Sequence, residues 1–167
     1  MRTDITRRDF FRRSGGRPAE QRPPWARPEG EFIAACTQCG ACIEACPTGV
    51  LVEGRARLPA IRFEKADCTF CGACATACPV DCFDTAREEP WTIRAHIGES
   101  CIETRGVACR MCEDVCDQKA IRMRPRLGGG CATSVSHELC TGCGTCSGIC
   151  PVGAITVREP SRKEVLP

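Results

Sequence analysis

Cysteine is the residue type in this sequence that could do the most chemistry, and its spacing repeats. The 167-residue chain holds 18 cysteines, about 11% of its length. Three runs, among them CTQCGACIEACP, spell C-x2-C-x2-C-x3-C-P; a fourth, CIETRGVACRMCEDVCD, has seven residues in its first gap and Asp117 in place of the proline. The four groups, in chain order, are Cys36, Cys39, Cys42 and Cys46; Cys68, Cys71, Cys74 and Cys78; Cys101, Cys109, Cys112 and Cys116; and Cys140, Cys143, Cys146 and Cys150.

This spacing predicts ligation of [4Fe–4S] clusters. In such a run, three thiolates from one tight loop converge on one cube, while the fourth cysteine reaches the other cluster of a pair. Gly40, Gly72 and Gly144 follow the second cysteine of their groups, where a residue without Cβ lets backbone amides approach the cluster. Four groups predict four clusters, with all sixteen cysteines as iron ligands.

Zinc is the alternative cofactor for C-x2-C pairs, but zinc modules place two such pairs well apart. Three closely spaced cysteines, a fourth and a proline favour iron and sulfide. Two ligand pairings stay open: sequential, with the first group sharing clusters with the second and the third with the fourth, or nested, with the first sharing with the fourth. We expect sequential pairing.

Four other residues could carry chemistry but lack motif spacing. Cys82 and Cys131 lie outside the groups, and we interpret them as buried or spare thiols. His96 and His137 have no partner at ligand spacing, so we expect structural or surface roles. No nucleophile–base set or nucleotide-binding fingerprint is present, so we expect an electron carrier without catalysis of its own.

The elements that must position these cysteines predict an α+β fold of two bacterial-ferredoxin-like modules built on an internal repeat. Short apolar runs after the cysteine groups, at residues 50–52, 120–121 and 154–157, predict strands. A short helix is expected within residues 1–13, followed by a flexible linker rich in Pro, Arg and Gly. The predicted divisions are 1–30 for this basic start, 31–96 and 97–160 for the modules, and 161–167 for a tail.

The N-terminal TRRDFFRR is similar to a twin-arginine export signal. Its continuation lacks the apolar segment of about 7–15 residues that a signal peptide needs, and no run approaches the ~20 apolar residues of a spanning helix. We therefore expect a cytoplasmic protein without membrane insertion. Residues 1–30 carry a net charge of +4, whereas the remainder carries −2; interleaved acids and prolines argue against a nucleic-acid partner.

The four groups, the stretched third group and the TRRDFF start together resemble the NapF family of ferredoxin-type proteins, which accompanies periplasmic nitrate reductase. Segments such as GVACRMCEDVC and CTGCGTCSGICPVGAITV carry this resemblance. It implies a cytoplasmic polyferredoxin that binds the precursor of the molybdenum-containing catalytic subunit and assists its maturation before export, by electron delivery or iron–sulfur assembly. The alternative function is an electron-wire subunit of a membrane-bound oxidoreductase.

The basic start could contribute to partner binding. Arg7, Arg8, Phe10 and Phe11 would present charge and apolar surface to an acidic, apolar groove. An electrostatic tether to the chain's own acidic modules is the competing interpretation.

Overall fold

The computed structural model describes residues 20–64, 66–126 and 131–160. The helix predicted within residues 1–13, with its four docking residues, and the tail at 161–167 lie outside the described residues. Small helices and strands alternate, as the α+β prediction expects. The helices are α1 (Glu29–Ala35), α2 (Ala41–Glu44), α3 (Ala73–Thr76), α4 (Met111–Asp114) and α5 (Thr145–Ile149), and the strands are β1 (Leu51–Glu53), β2 (Pro59–Ile61), β3 (Arg94–Ile97), β4 (Ile121–Pro125), β5 (Cys131–Val135) and β6 (Ile155–Arg158).

The first module pairs the first two cysteine groups. Helices α2 and α3, which carry the third cysteine of each group, pack against one another. Strands β1 and β2 form an antiparallel hairpin between the groups, with Leu51 opposite Ile61. A single antiparallel bridge joins Ala26 to Phe83 and ties the start of the module to its end.

Residues 20–30, predicted as part of a flexible linker, are ordered and packed on this module. The carbonyl of Gln21 accepts the Ile61 amide at 2.9 Å, and the Trp25 amide donates to the carbonyl of Pro90 at 2.6 Å. Pro23 is fully buried. Composition alone misses this packing because the contacts are made to residues far along the chain.

The second module repeats the plan with longer strands. Strands β4 and β5 form a hairpin between the third and fourth groups, and β3 pairs antiparallel with β6. The β3–β6 pair takes the place that the Ala26–Phe83 bridge has in the first module. The division predicted after residue 96 falls inside strand β3, which pairs with a strand of the second module.

Cysteines occupy much of the interior. One cluster of buried side chains combines Cys42 and Cys74 with Phe63, Trp91 and Ile93. The second module has the equivalent cluster around Cys112 and Cys146, packed against apolar side chains of the strands.

Within the described ranges, no helix has the length and apolar character needed to cross a membrane.

Candidate metal centres

The structure gathers the motif cysteines into four sites, which we number by the group that supplies three of the four sulfurs. Three of these sites are cavities of similar size, with about 370, 330 and 340 Å³ of empty space. Because each of these cavities is lined by four motif cysteines, the three fit one kind of cofactor. Site I contains Cys36, Cys39, Cys42 and Cys78; site II contains Cys68, Cys71, Cys74 and Cys46; site III contains Cys101, Cys109, Cys112 and Cys150.

Site IV surrounds the buried side chain of Cys146. Cys116, Cys140 and Cys150 pack against the buried cluster that contains Cys146, and Cys150 already lines site III. Cys116 is the remaining fourth-position cysteine of the module, so site IV contains Cys140, Cys143, Cys146 and Cys116. All four sites follow the sequential arrangement, and helices α4 and α5 pack together as α2 and α3 do.

Left-handed backbone shapes the cysteine loops. Gly40, Gly72 and Gly144 have φ values of +79°, +74° and +90° at the N-termini of their short helices. Gln38 and Phe70, which precede the second cysteine of groups one and two, also have positive φ. These turns bend each loop so that its cysteines face one cavity.

Backbone amides donate hydrogen bonds to several of the sulfurs. The Ala120 amide donates to Cys116 Sγ at 3.3 Å, and the Ala154 amide donates to Cys150 Sγ at 3.2 Å. The Ala95 amide of β3 donates to Cys140 Sγ at 3.4 Å. Such donors stabilise thiolates and cluster sulfurs, so the donor set fits an iron–sulfur cube.

The third cysteine of every group is the most enclosed. Burial, reinforced by the neighbouring cysteines, raises the pKa of Cys42, Cys74 and Cys112 to about 11 and that of Cys146 to about 12. These thiols are neutral at pH 7 without a metal. Metal binding must therefore release their protons.

The insertion in the third group is held by a carboxylate that sequence reasoning missed. Glu103, only 4% exposed, accepts a hydrogen bond from the Cys109 amide. Hydrogen bonds from the Cys131 thiol and the Cys109 amide lower the pKa of Glu103. The seven-residue gap, five residues longer than in the other groups, contains a 3₁₀ turn, Glu103–Arg105, and Cys101 is buried at site III. The signal available in the sequence was the single acidic residue, Glu103, inside the seven-residue gap of the third group.

Of the two cysteines and two histidines outside the motif, one cysteine lines a site. Cys82 is buried in the lining of site I, whereas Cys131 is half-buried beside Glu103. His96 and His137 contact each other edge to face, with ring centroids 5.3 Å apart.

The two modules meet where the second and fourth cysteine loops touch. The Cys68 amide donates to the carbonyl of Cys143 at 2.9 Å. Close by on the same two loops, the Thr145 hydroxyl donates to Asp67 Oδ2 at 3.0 Å. The Trp91 indole donates to the carbonyl of Thr141 at 2.8 Å. Sites II and IV are therefore neighbours across the junction.

Two segments of the chain match families of known iron–sulfur domains. Residues 35–83 match the family described as a 4Fe-4S dicluster domain, and residues 133–156 match a 4Fe-4S binding domain. The third cysteine group lies between the two matched segments.

Whole-chain comparisons are more specific. The ferredoxin-type protein NapF of Haemophilus influenzae is 42% identical over 143 residues, which cover 86% of this chain and 81% of that protein. NapF of Escherichia coli K12 is 38% identical over 135 residues, covering 81% and 82% of the two chains. The chain belongs to the NapF family of ferredoxin-type proteins.

NapF membership, with the two matched domains, identifies an iron–sulfur protein of electron transport. The methylamine utilization ferredoxin-type protein MauM of Paracoccus denitrificans is also similar, at 34% identity over 155 residues, covering 82% of this chain and 69% of that protein.

Proposed function

We propose that this chain is a polyferredoxin holding four [4Fe–4S] clusters, one at each of sites I to IV, with the sixteen motif cysteines as ligands. Each bound cluster would supply reversible one-electron chemistry. The cysteine loops hold the cubes, the buried third cysteines exclude water, and the amide donors stabilise the sulfur charge. Strands and short helices act as supports because the apolar core is small.

The junction of sites II and IV is the observation that carries an electron-transfer function. A direct hydrogen bond between Cys68 and Cys143 joins a ligand residue of one module to a ligand residue of the other. The four sites then form a series in the order I, II, IV, III, and a protein that only stored iron would gain nothing from this order. An electron accepted at one module can be delivered from the other.

Partner contact is supported by apolar surface near site III. Met111 and Val152 line this site and are each 42% exposed, and Val107, two residues before Cys109, is 54% exposed. Exposed apolar side chains next to a redox site are typical of interaction surfaces. A partner seated there would approach one end of the series.

We further propose that the partner is the precursor of the molybdenum-containing catalytic subunit of the periplasmic nitrate reductase. The protein would bind this precursor in the cytoplasm and assist its maturation before export, by electron delivery or iron–sulfur assembly. Membership of the NapF family supports this partner. Arg7, Arg8, Phe10 and Phe11 are proposed from the sequence as a second docking point.

The other candidate is an electron-wire subunit of a membrane-bound oxidoreductase. This alternative is supported by the relatives named for methylamine utilization, because their names indicate a redox system other than nitrate reductase. The NapF relatives favour the nitrate reductase precursor, because they are more identical to this chain and are covered over more of their length than the MauM relatives.

A pull-down from nitrate-respiring cells tests the partner. Tagged full-length protein, purified without oxygen, should capture the catalytic-subunit precursor with its export signal still attached. Phe10→Ala with Phe11→Ala should weaken capture while leaving the iron content unchanged. Recovery of membrane oxidoreductase subunits, without the precursor, would support the alternative and contradict the proposal.

A further inference from the structure

Cys82 places a fifth sulfur in site I. Its side chain is 1% exposed and lines the same cavity as the site's four motif cysteines. Cys36 and Cys78 pack against the small buried cluster that contains Cys82, and its thiol is within hydrogen-bonding reach of both. It therefore contacts two of the proposed ligands instead of filling a remote part of the core.

The other three repeats show what usually occupies this position. The residue four places after the fourth cysteine donates its backbone N–H to that cysteine's sulfur. Ala120 does so to Cys116 at 3.3 Å, and Ala154 to Cys150 at 3.2 Å. In the first repeat, the Val50 amide hydrogen-bonds with Cys46.

The second repeat breaks this pattern, and Cys82 is the residue at the corresponding position, four after Cys78. Its own amide donates to the carbonyl of Val80 at 2.8 Å instead. The chain leaves Cys78 without entering a strand and turns towards the Ala26–Phe83 bridge. The sulfur of Cys78 therefore has no hydrogen bond from the amide at this position, and the Cys82 thiol lies next to that sulfur instead.

We propose that the Cys82 thiol replaces this missing amide, donating hydrogen bonds to the sulfurs of Cys78 and Cys36, and that it thereby raises the reduction potential of site I. Hydrogen bonds to ligand sulfurs are one of the determinants of cluster potential. A donor stabilises the more negative reduced state more than the oxidised state, so its presence favours reduction. Cys82 is a positioning residue and not a ligand, and this role rests on the proposed cluster at site I.

The test compares Cys82→Ala and Cys82→Ser in the full-length protein, each purified anaerobically. Iron is counted first, and the clusters are then titrated with reductant and followed by EPR. Both variants should keep the iron content of the unmodified protein. Cys82→Ala should move one reduction wave to lower potential. At a fixed potential, the oxidised-to-reduced ratio of that cluster should rise about threefold to tenfold, and a tenfold rise corresponds to about 59 mV for one electron.

Cys82→Ser is the conservative variant, because a hydroxyl keeps the donor while shortening the reach. We expect its wave to stay close to that of the unmodified protein. Cys131→Ala is the matched control: it also removes a thiol outside the motif, but away from site I, and should leave the site I wave in place.

Three results would overturn the inference. Loss of about four iron atoms in Cys82→Ala would make Cys82 a ligand. If the reduction waves of Cys82→Ala do not move, Cys82 serves only to pack the core. If Cys82→Ala and Cys82→Ser shift the wave equally, the shift comes from the changed shape of the side chain and not from a lost hydrogen-bond donor. Absence of iron from the unmodified protein would instead refute the proposed function itself, before any variant is compared.

Discussion

Gly144→Ala should weaken the junction between the modules, and the same motif position in other repeats provides its control. A Cβ at residue 144 would lie 1.9 Å from Cδ1 of Phe63 and 2.4 Å from Cε1. The Phe63 ring is held in the core by an edge-to-face contact with Trp91, at 6.2 Å between centroids. It cannot swing aside freely, so the fourth cysteine loop must move away from the first module.

Two costs combine in this variant. Left-handed backbone at a residue with Cβ costs about 1–2 kcal/mol. Forcing a methyl group into a packed interior adds about 1–3 kcal/mol. Gly40→Ala and Gly72→Ala carry only the first cost, since their φ values are +79° and +74° but no atom lies within 4 Å of the added Cβ.

The assay is the thermal midpoint of cluster absorbance, measured anaerobically for all three variants. A chain of this size loses about 2–4 °C per kcal/mol, so the additional 1–3 kcal/mol should place Gly144→Ala about 2–12 °C below the two controls. Adding Phe63→Leu should recover part of the difference, because contacting residues couple energetically. Equal midpoints for Gly144→Ala and Gly40→Ala would refute the junction as described.

Further predictions concern individual sites. Cys71→Ala should lose about a quarter of the bound iron by elemental analysis, whereas Cys131→Ala should lose none; equal loss would mean that the ligand assignment is wrong. Glu103→Gln removes the charge that holds the Cys109 amide and should speed chelator-driven release of about a quarter of the iron, while the exposed Glu99→Gln should not; identical release kinetics would contradict the role of Glu103. Complete iron removal should abolish most far-UV circular dichroism, since metal binding supplies folding energy. Refolding with iron and sulfide should be faster near pH 9 than near pH 7, because cysteine thiols of an unfolded chain, with an ordinary pKa of about 8.5, must lose their protons to bind iron; a rate independent of pH would argue against this.

The spacing of the cysteines predicts which three of each group face one cavity, because a run of fixed gaps constrains the loop that carries it. The spacing leaves the sequential and the nested pairing open, and the packing of α2 on α3 and of α4 on α5 supports the sequential one. The order I, II, IV, III could not be predicted, since it depends on the long-range contact between Cys68 and Cys143.

Residues 20–30 and Cys82 show the limits of composition. A segment rich in Pro and Arg has no periodicity, yet Gln21 and Trp25 hydrogen-bond to residues far along the chain. Cys82 has no motif spacing, and its relation to site I emerges only when the fourth repeat's Ala154 is compared with it in three dimensions. Both features depend on tertiary contacts that local patterns do not encode.

Iron and acid-labile sulfide, counted per chain after anaerobic purification, test the four-cluster proposal most directly. The proposal predicts about sixteen iron atoms and an equal amount of sulfide, with four reducible centres by EPR. Eight iron atoms per chain, or zinc without sulfide, would contradict it.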